Sequence, residues 1–284
     1  MNQTTSTSSL EYRALPNREP SRGSYRWFAI LCVIALLTAS LHENVQIHQV
    51  SHDPNFEFLL FSQQTSSGYC LAHGHCKKSQ LRPFFTIHGL WPSNATTWPE
   101  SCNLTVKFDI KVLDPIRSDL NKYWPSVIGV NPEYFWSHEW HKHGSCAMSN
   151  PPLSGVLDYF NGTLNLLRTY NVSNFFLDSE IKPSETTAYK VSDVLKALKT
   201  DLTTNANIVC RKAEGYSYPV LTEVRFCLSK KTLEPIDCKI KHENCGDDSI
   251  FYIPIESVHN PRVQGLSRLV VNVFSFYFKY MSPV

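Results

Sequence analysis

The chain has 284 residues, 42% of them hydrophobic, with 27 basic and 25 acidic side chains. That composition supports a sizeable core, excludes wholesale disorder, and gives no global polyanion-binding surface. The length fits one large domain or two modest ones, and the sequence holds no internal repeat, heptad run or Gly-rich phosphate loop.

The N-terminus reads as a targeting segment. Residues 1–26 carry Arg13, Arg18, Arg22 and Arg26 against Glu11 and Glu19. "WFAILCVIALLTASL" follows, an apolar run of about 15 residues ending in small ones at Thr38, Ala39 and Ser40. This is the order of a signal peptide, expected over 1–40. A span needs roughly 20 residues. A signal anchor and a translation start further in are the alternative readings. Without the leader the chain keeps 23 basic and 23 acidic residues. Any affinity for nucleic acid must then come from a local cluster, helped by histidines that charge as pH falls.

Eight cysteines follow the leader: Cys70, Cys76, Cys102, Cys146, Cys210, Cys227, Cys238 and Cys245. An even count after a signal peptide reads as four disulfides, and the spacing alone leaves 105 connectivities open. No CxxC is present, which argues against zinc and redox motifs. N-x-[ST] sequons at Asn94, Asn103, Asn161 and Asn171 suit the same oxidising compartment.

Further along, "FEFLLFSQ" (56–63) and "FFTIHGL" (84–90) have the aromatic and β-branched content of strands. Residues 109–123 read as helix interrupted by Pro115. "PEYFWSHEWHKHGSC" reads as helix, with Pro132 near its start and Gly144 near its end. "PLSGVLDYFNGTLNLLRTY" is helical apart from Gly162. Residues 190–202 read as an amphipathic helix with Ser192 as N-cap. "NIVCRK" and "LTEVRFCLS" read as strands. Strands, a helical middle and strands again predict one α+β domain over 53–255, with a central antiparallel sheet and flanking helices.

Two histidine centres stand out, His88 in "FTIHGLWPSN" and the cluster "WSHEWHKHGSC". At roughly 100° per residue, His138, Glu139, Lys142 and His143 share one helical face, and Trp140 and His141 point away. A solvated polar face with i,i+4 pairs is the plainer alternative. A zinc-protease motif needs histidine at 142; lysine stands there, so no metal or other cofactor is expected. Two histidines near pKa ~6.5 can instead be held in opposite protonation states. One takes a proton from a nucleophile while the other protonates a leaving group. Lys142 and a histidinium would stabilise charge growing on a phosphorane-like oxygen. RNA brings its own nucleophile, the ribose 2′-OH.

"FTIHGLWP" and "HEWHKHGSC" resemble the two active-site segments of the ribonuclease T2 family. The resemblance runs over about residues 54–254, takes in the cysteine frame, and leans towards the plant branch with its style ribonucleases. It implies an α+β fold and cleavage of single-stranded RNA, not DNA, through a 2′,3′-cyclic phosphate to 3′-phosphate ends. It implies His88 as general acid, His143 as general base, His138 on phosphate, and Glu139 and Lys142 as transition-state or tuning groups. It also implies the pairs Cys70–Cys76, Cys102–Cys146, Cys210–Cys245 and Cys227–Cys238. A monomer is expected, secreted or vacuolar, with no stable membrane partner after leader removal; a protein inhibitor or recognition partner fits the family.

Trp91 reads equally as a platform for a base and as core; Trp98 and Phe135 are further substrate-binding candidates. His141 reads as structural or solvent-exposed, and His73, His75, His242 and His259 as surface-loop histidines. The sequence departs from the family pattern in three places. "FSQQTSSGYC" replaces a Gln-Trp-Pro stretch and is expected to loosen a site wall. Ser93 stands where many members have Asp, which bears on base preference. Residues 256–284 are an atypical apolar tail, including "GLSRLVVNVFSFYFKYM". Two alternative roles are a pistil self-incompatibility ribonuclease and a non-enzymatic secreted glycoprotein. "WSHEW" and the neutral mature charge lean away from the first, and the intact His88 and His143 argue against the second.

Overall fold

The computed structural model describes residues 55–74, 76–103, 105–237, 243–246 and 248–259. The expected signal peptide over 1–40, His75, His242 and Cys238, and the tail from residue 260 lie outside these residues.

The fold is α+β. Among the described residues seven strands form one sheet: β1 (Phe58–Gln64), β2 (Thr86–Ser93), β3 (Ala188–Lys190), β4 (Asn207–Arg211), β5 (Val220–Ser229), β6 (Pro235–Ile236) and β7 (Ser249–Phe251). The main order is β2-β1-β5-β7-β3, with β4 and β6 also paired to β5. The expected antiparallel sheet is in fact mixed. β5 meets β7 in parallel at Val220 and Phe251, while the other strand pairs are antiparallel.

The helices are α1 (Ser66–His73), α2 (Arg117–Tyr123), α3 (Pro132–Glu139), α4 (Ser145–Ala147), α5 (Val156–Thr169), α6 (Val172–Asp178) and α7 (Val191–Leu202). Alternation along the strands sends Leu59, Phe61, Val224, Phe226 and Leu228 to the main core, all with zero exposure. Each such side chain contributes roughly 1.5–3 kcal/mol by leaving water. The opposite face carries a smaller cluster of Phe58, Leu60 and Cys227, against which Trp91 packs. The candidate site is built on that face.

Several local expectations are corrected. Residues 110–116 form a 3-10 segment containing Pro115, and the α-helix begins only at Arg117. The pyrrolidine ring lacks the N–H that a continuous helix would use. Gly162 does not interrupt α5; a side chain there would crowd Leu153 at 2.8 Å. Ser192 lies inside α7, whose N-cap is Lys190, without a side-chain cap bond. His73 is in the last turn of α1 rather than in a loop. The stretch replacing Gln-Trp-Pro is not loose. Thr65 caps α1 by accepting from Gly68 N and donates 3.0 Å to Leu221 O.

Three disulfides join described residues: Cys70–Cys76, Cys102–Cys146 and Cys210–Cys245. Cys227 is disulfide-bonded too; Cys238, its expected partner, is outside the described residues. Among the described residues no helix is long and apolar enough to cross a membrane.

Candidate active site

His88 lies in β2 where the ladder with β1 slips. Ser62 faces Gly89 and Gln63 faces Ile87, which leaves His88 as the extra residue of a bulge. Bulges turn a side chain out of regular alternation. Ile87 and Leu90 both enter the core, and the His88 side chain stays 28% exposed. Trp124 Nε1 donates to His88 O at 2.9 Å, fixing the bulge from the core side. A side chain at Gly89 would strike the Trp91 indole and the Glu139 carboxylate, so glycine lets the next segment approach the strand.

Asn131 starts the second segment by accepting from Glu133 N, with Pro132 in the first helical turn. Helix α3 runs to Glu139, and residues Trp140–Gly144 then form a π-helical turn. Ser145 N–H donates to Trp140 O, the wider i→i−5 pattern. This corrects the uniform helical wheel. Glu139 and His143 turn inward and are buried, 3% and 9% exposed. His138 is exposed and Lys142 half-exposed, so the four do not present one even face. Trp140 is fully buried in the main core. His141 Nδ1 lies 2.8 Å from Ser137 O, its own preceding turn, in keeping with a structural role.

Trp91 joins the two segments. Its Nε1 donates to Glu139 Oε2 at 3.0 Å. Its ring centroid lies 5.0 Å from that of His88 and 5.4 Å from that of His143. The Arg225 guanidinium sits 5.5 Å from the same ring. Both histidines are therefore gathered around one indole. The Cys102–Cys146 bridge brings the loop after β2 against the π turn. There Ser101 N–H donates to Lys142 O at 2.9 Å, and Glu100 pairs with Lys142 Nζ at 3.6 Å.

The sequence reading missed Glu223, Arg225 and Ser62. Glu223 Oε1 is 3.2 Å from His88 Nδ1. The contact is an ion pair when His88 is protonated, without the alignment of a full hydrogen bond. Glu223 Oε2 accepts from Ser62 Oγ and from Arg225 Nε, both at 2.8 Å. Arg225 Nη1 also donates to Glu243 Oε1 at 2.7 Å. The available signal was "TEVRF": two opposite charges at i,i+2 in an otherwise apolar strand share one face, and charges are rarely buried unpaired.

These surroundings push the two histidines apart. Burial lowers the pKa of His88, but the Glu223 and Glu139 carboxylates outweigh both burial and the opposing Arg225, and the balance is upward. Burial drives His143 down to about 3, with Lys142, His138 and His88 adding to the fall. Its Nδ1 is buried with no hydrogen-bond partner among the described residues, which also disfavours a proton there. Burial, then Lys142 and His88, lower His138, against a smaller opposing pull from Glu100. Burial raises Glu139 to about 7 against His88, the Trp91 hydrogen bond and Lys142. Among the described residues no group of His, Cys, Asp and Glu is placed to hold a metal ion.

Of the expected base-binding aromatics, Trp98 is 63% exposed on the loop carrying Glu100. Phe135 is half-buried and packs on the main core. Among the sequons, Asn161 is exposed on α5, while Asn94, Asn103 and Asn171 are half-buried. Asn94 Nδ2 already donates to Asn55 O and Thr97 Oγ1.

The ribonuclease T2 family model matches residues 56–238 of this chain, a stretch that contains both histidine segments. The chain belongs to the ribonuclease T2 family. It is 34% identical to ribonuclease Oy of Magallana gigas over 207 residues, 70% of this chain and 97% of that one. It is 31% identical to ribonuclease DdI of Dictyostelium discoideum, covering 75% and 92%. Among solved structures, RNase NT in complex with 5′-AMP superposes with a TM-score of 0.64 at 28% identity, over 71% of this chain and all of that one. Human RNase T2 gives 0.61 at 28%, over 70% and 99%. Similar relatives also include ribonuclease MC of Momordica charantia, 31% identical over 69% of this chain and all of that one, so the matches span animals, an amoeba and plants and do not single out the plant branch.

Proposed function

We propose that this T2-family chain is a secreted endoribonuclease that cleaves single-stranded RNA by paired histidine acid–base catalysis. Neutral His143 takes the proton from the ribose 2′-OH. The 2′-oxygen then bonds to phosphorus, and the bond from phosphorus to the 5′-oxygen breaks. Protonated His88 delivers its proton to that leaving oxygen, and a 2′,3′-cyclic phosphate remains. Water opens the cyclic ester with the roles reversed, leaving a 3′-phosphate. Lys142 and His138, on the open side, meet the phosphate charge, and Glu139 tunes the pair from beneath. Trp98 offers an exposed face for a base, a contact typically worth ~1–3 kcal/mol.

One observation carries this reading. His88 and His143 flank one indole, and their surroundings favour charge on the first and neutrality on the second. The named activities of the relatives and the 5′-AMP held by RNase NT support RNA as the substrate. The test is cleavage of single-stranded RNA by purified mature protein, read as transient 2′,3′-cyclic phosphate ends. The reading fails if folded protein leaves RNA intact, or if 5′-phosphate ends appear from the start.

A further inference from the structure

We infer that Glu223 is a positioning residue for His88, a buried carboxylate that fixes which imidazole nitrogen meets the substrate. The inference rests on the reading of His88 as general acid. His88 Nδ1 is shielded from solvent and faces Glu223 Oε1 at 3.2 Å. With Nδ1 turned inward, Nε2 is the nitrogen left for the leaving oxygen. A neutral imidazole beside a carboxylate keeps its proton on the nitrogen that faces it. Proton release therefore comes from Nε2: the Nε2–H bond breaks, a 5′ O–H bond forms, and Nδ1–H stays against Glu223, which is never protonated.

The carboxylate is itself held. Its side chain is 8% exposed, a costly place for a charge without partners. Ser62 Oγ and Arg225 Nε occupy its second oxygen, each at 2.8 Å, leaving the first to His88. Arg225 is fixed in turn by Glu243 and by the Trp91 ring beneath it. Strands β1, β2 and β5 are neighbours in the sheet, so Ser62, His88, Glu223 and Arg225 sit on a rigid floor rather than on loops. Other charged or titratable groups also act on His88 or are acted on by it. These are Arg225 from β5, His138, Glu139 and His143 from α3 and the π turn, and His73 from α1. Of these only Glu139 adds negative charge near the ring, so Glu139 is the control for Glu223.

The test is the pH dependence of kcat/KM on a dinucleoside phosphate for Glu223→Gln and Glu223→Asp, beside Glu139→Gln. With the charge gone, Glu223→Gln moves the falling limb down by about 1–2 pH units and lowers the rate near neutrality about tenfold per unit. KM changes little, and Glu223→Asp recovers part of the shift. In the wild-type enzyme, 15N NMR places the proton of neutral His88 on Nδ1, a readout independent of any variant's folding. A folded Glu223→Gln enzyme with an unmoved falling limb overturns the inference, as does a wild-type His88 protonated at Nε2. An active His88→Ala enzyme would instead reject the acid–base reading, so the two failures are distinguishable.

Discussion

Trp91 and Glu139, 48 residues apart, are joined by a 3.0 Å hydrogen bond between indole N–H and carboxylate. That bond ties the bulged strand to the helical segment, with His88 and His143 both against the Trp91 ring. The Glu139 end is buried and the Trp91 end rests on the sheet. The two histidines therefore meet the same indole from rigid supports, and the Glu139 carboxylate that holds this indole also raises the proton affinity of His88.

The pH–rate profile follows from the directions of the shifts. In the proposed mechanism the base must be neutral, so the rising limb belongs to His143, whose pKa is depressed to about 3. The acid must be protonated, so the falling limb belongs to His88 and lies above the ordinary histidine value. A plot of log kcat/KM against pH is therefore bell-shaped, with its rising limb well below pH ~6.5 and its falling limb above it. A rising limb above that value would contradict a buried, neutral base. His143→Ala removes the rising limb and His88→Ala the falling one.

Single replacements sort the histidines. His88→Ala and His143→Ala each lower kcat about 10²–10⁴-fold. The double variant loses far less than the product, because the two act as a unit. His138→Ala weakens binding of the phosphate and raises KM more than it lowers kcat. His141→Ala changes little, since its ring is turned to Ser137. An inactive His141→Ala beside an active, folded His143→Ala would reverse the assignment.

Glu139 makes stability depend on pH. Its carboxyl is raised from 4.5 to about 7 in the folded state, so between these values the native protein holds a proton that the unfolded chain has released. Stability contributed by this group is present at low pH and falls as pH rises through 7. Glu139→Gln cannot ionise and should gain about 3 kcal/mol relative to wild type on going from pH ~4 to pH ~8. Denaturant melts at the two pH values measure it; an equal difference at both would show that Glu139 titrates normally.

The Cys102–Cys146 bridge closes a 44-residue separation. Losing it by a paired Ser substitution should cost about 4 kcal/mol by loop entropy. The loop carrying Glu100 and Trp98 would also lose its anchor beside Lys142. Peptide mapping of the non-reduced protein should recover the 102–146 pair, and urea melts should show the lost stability. Recovery of a different partner for Cys102 would remove the tether from the account.

Dialysis against EDTA should leave the rate on RNA unchanged, because in the proposed mechanism His88, His143 and Lys142 between them supply the proton transfers and the charge. Single-stranded DNA of the same sequence should stay intact, for want of the 2′-OH. Activity lost with EDTA and restored by a divalent ion would require a different mechanism.

By itself the sequence determined the α+β class and the two histidine segments; the three disulfide pairings seen here were implied only by the resemblance to the family, since cysteine spacing leaves the connectivity open. Strand composition, helix-boundary residues and long motifs are local signals, legible without any partner. The His88–Glu223 pair was not legible. It depends on β1, β2 and β5 lying side by side and on a one-residue slip at Ser62 and Gln63 that turns His88 away from the core. Nor could a uniform wheel separate buried Glu139 and His143 from half-exposed Lys142, because the π turn is a backbone choice made under packing by Trp140 and Tyr159. Residue types carry the chemistry, and register and burial decide each group's proton affinity. Register and burial are properties of neighbours distant in sequence, so only the tertiary structure decided which histidine holds its proton more tightly.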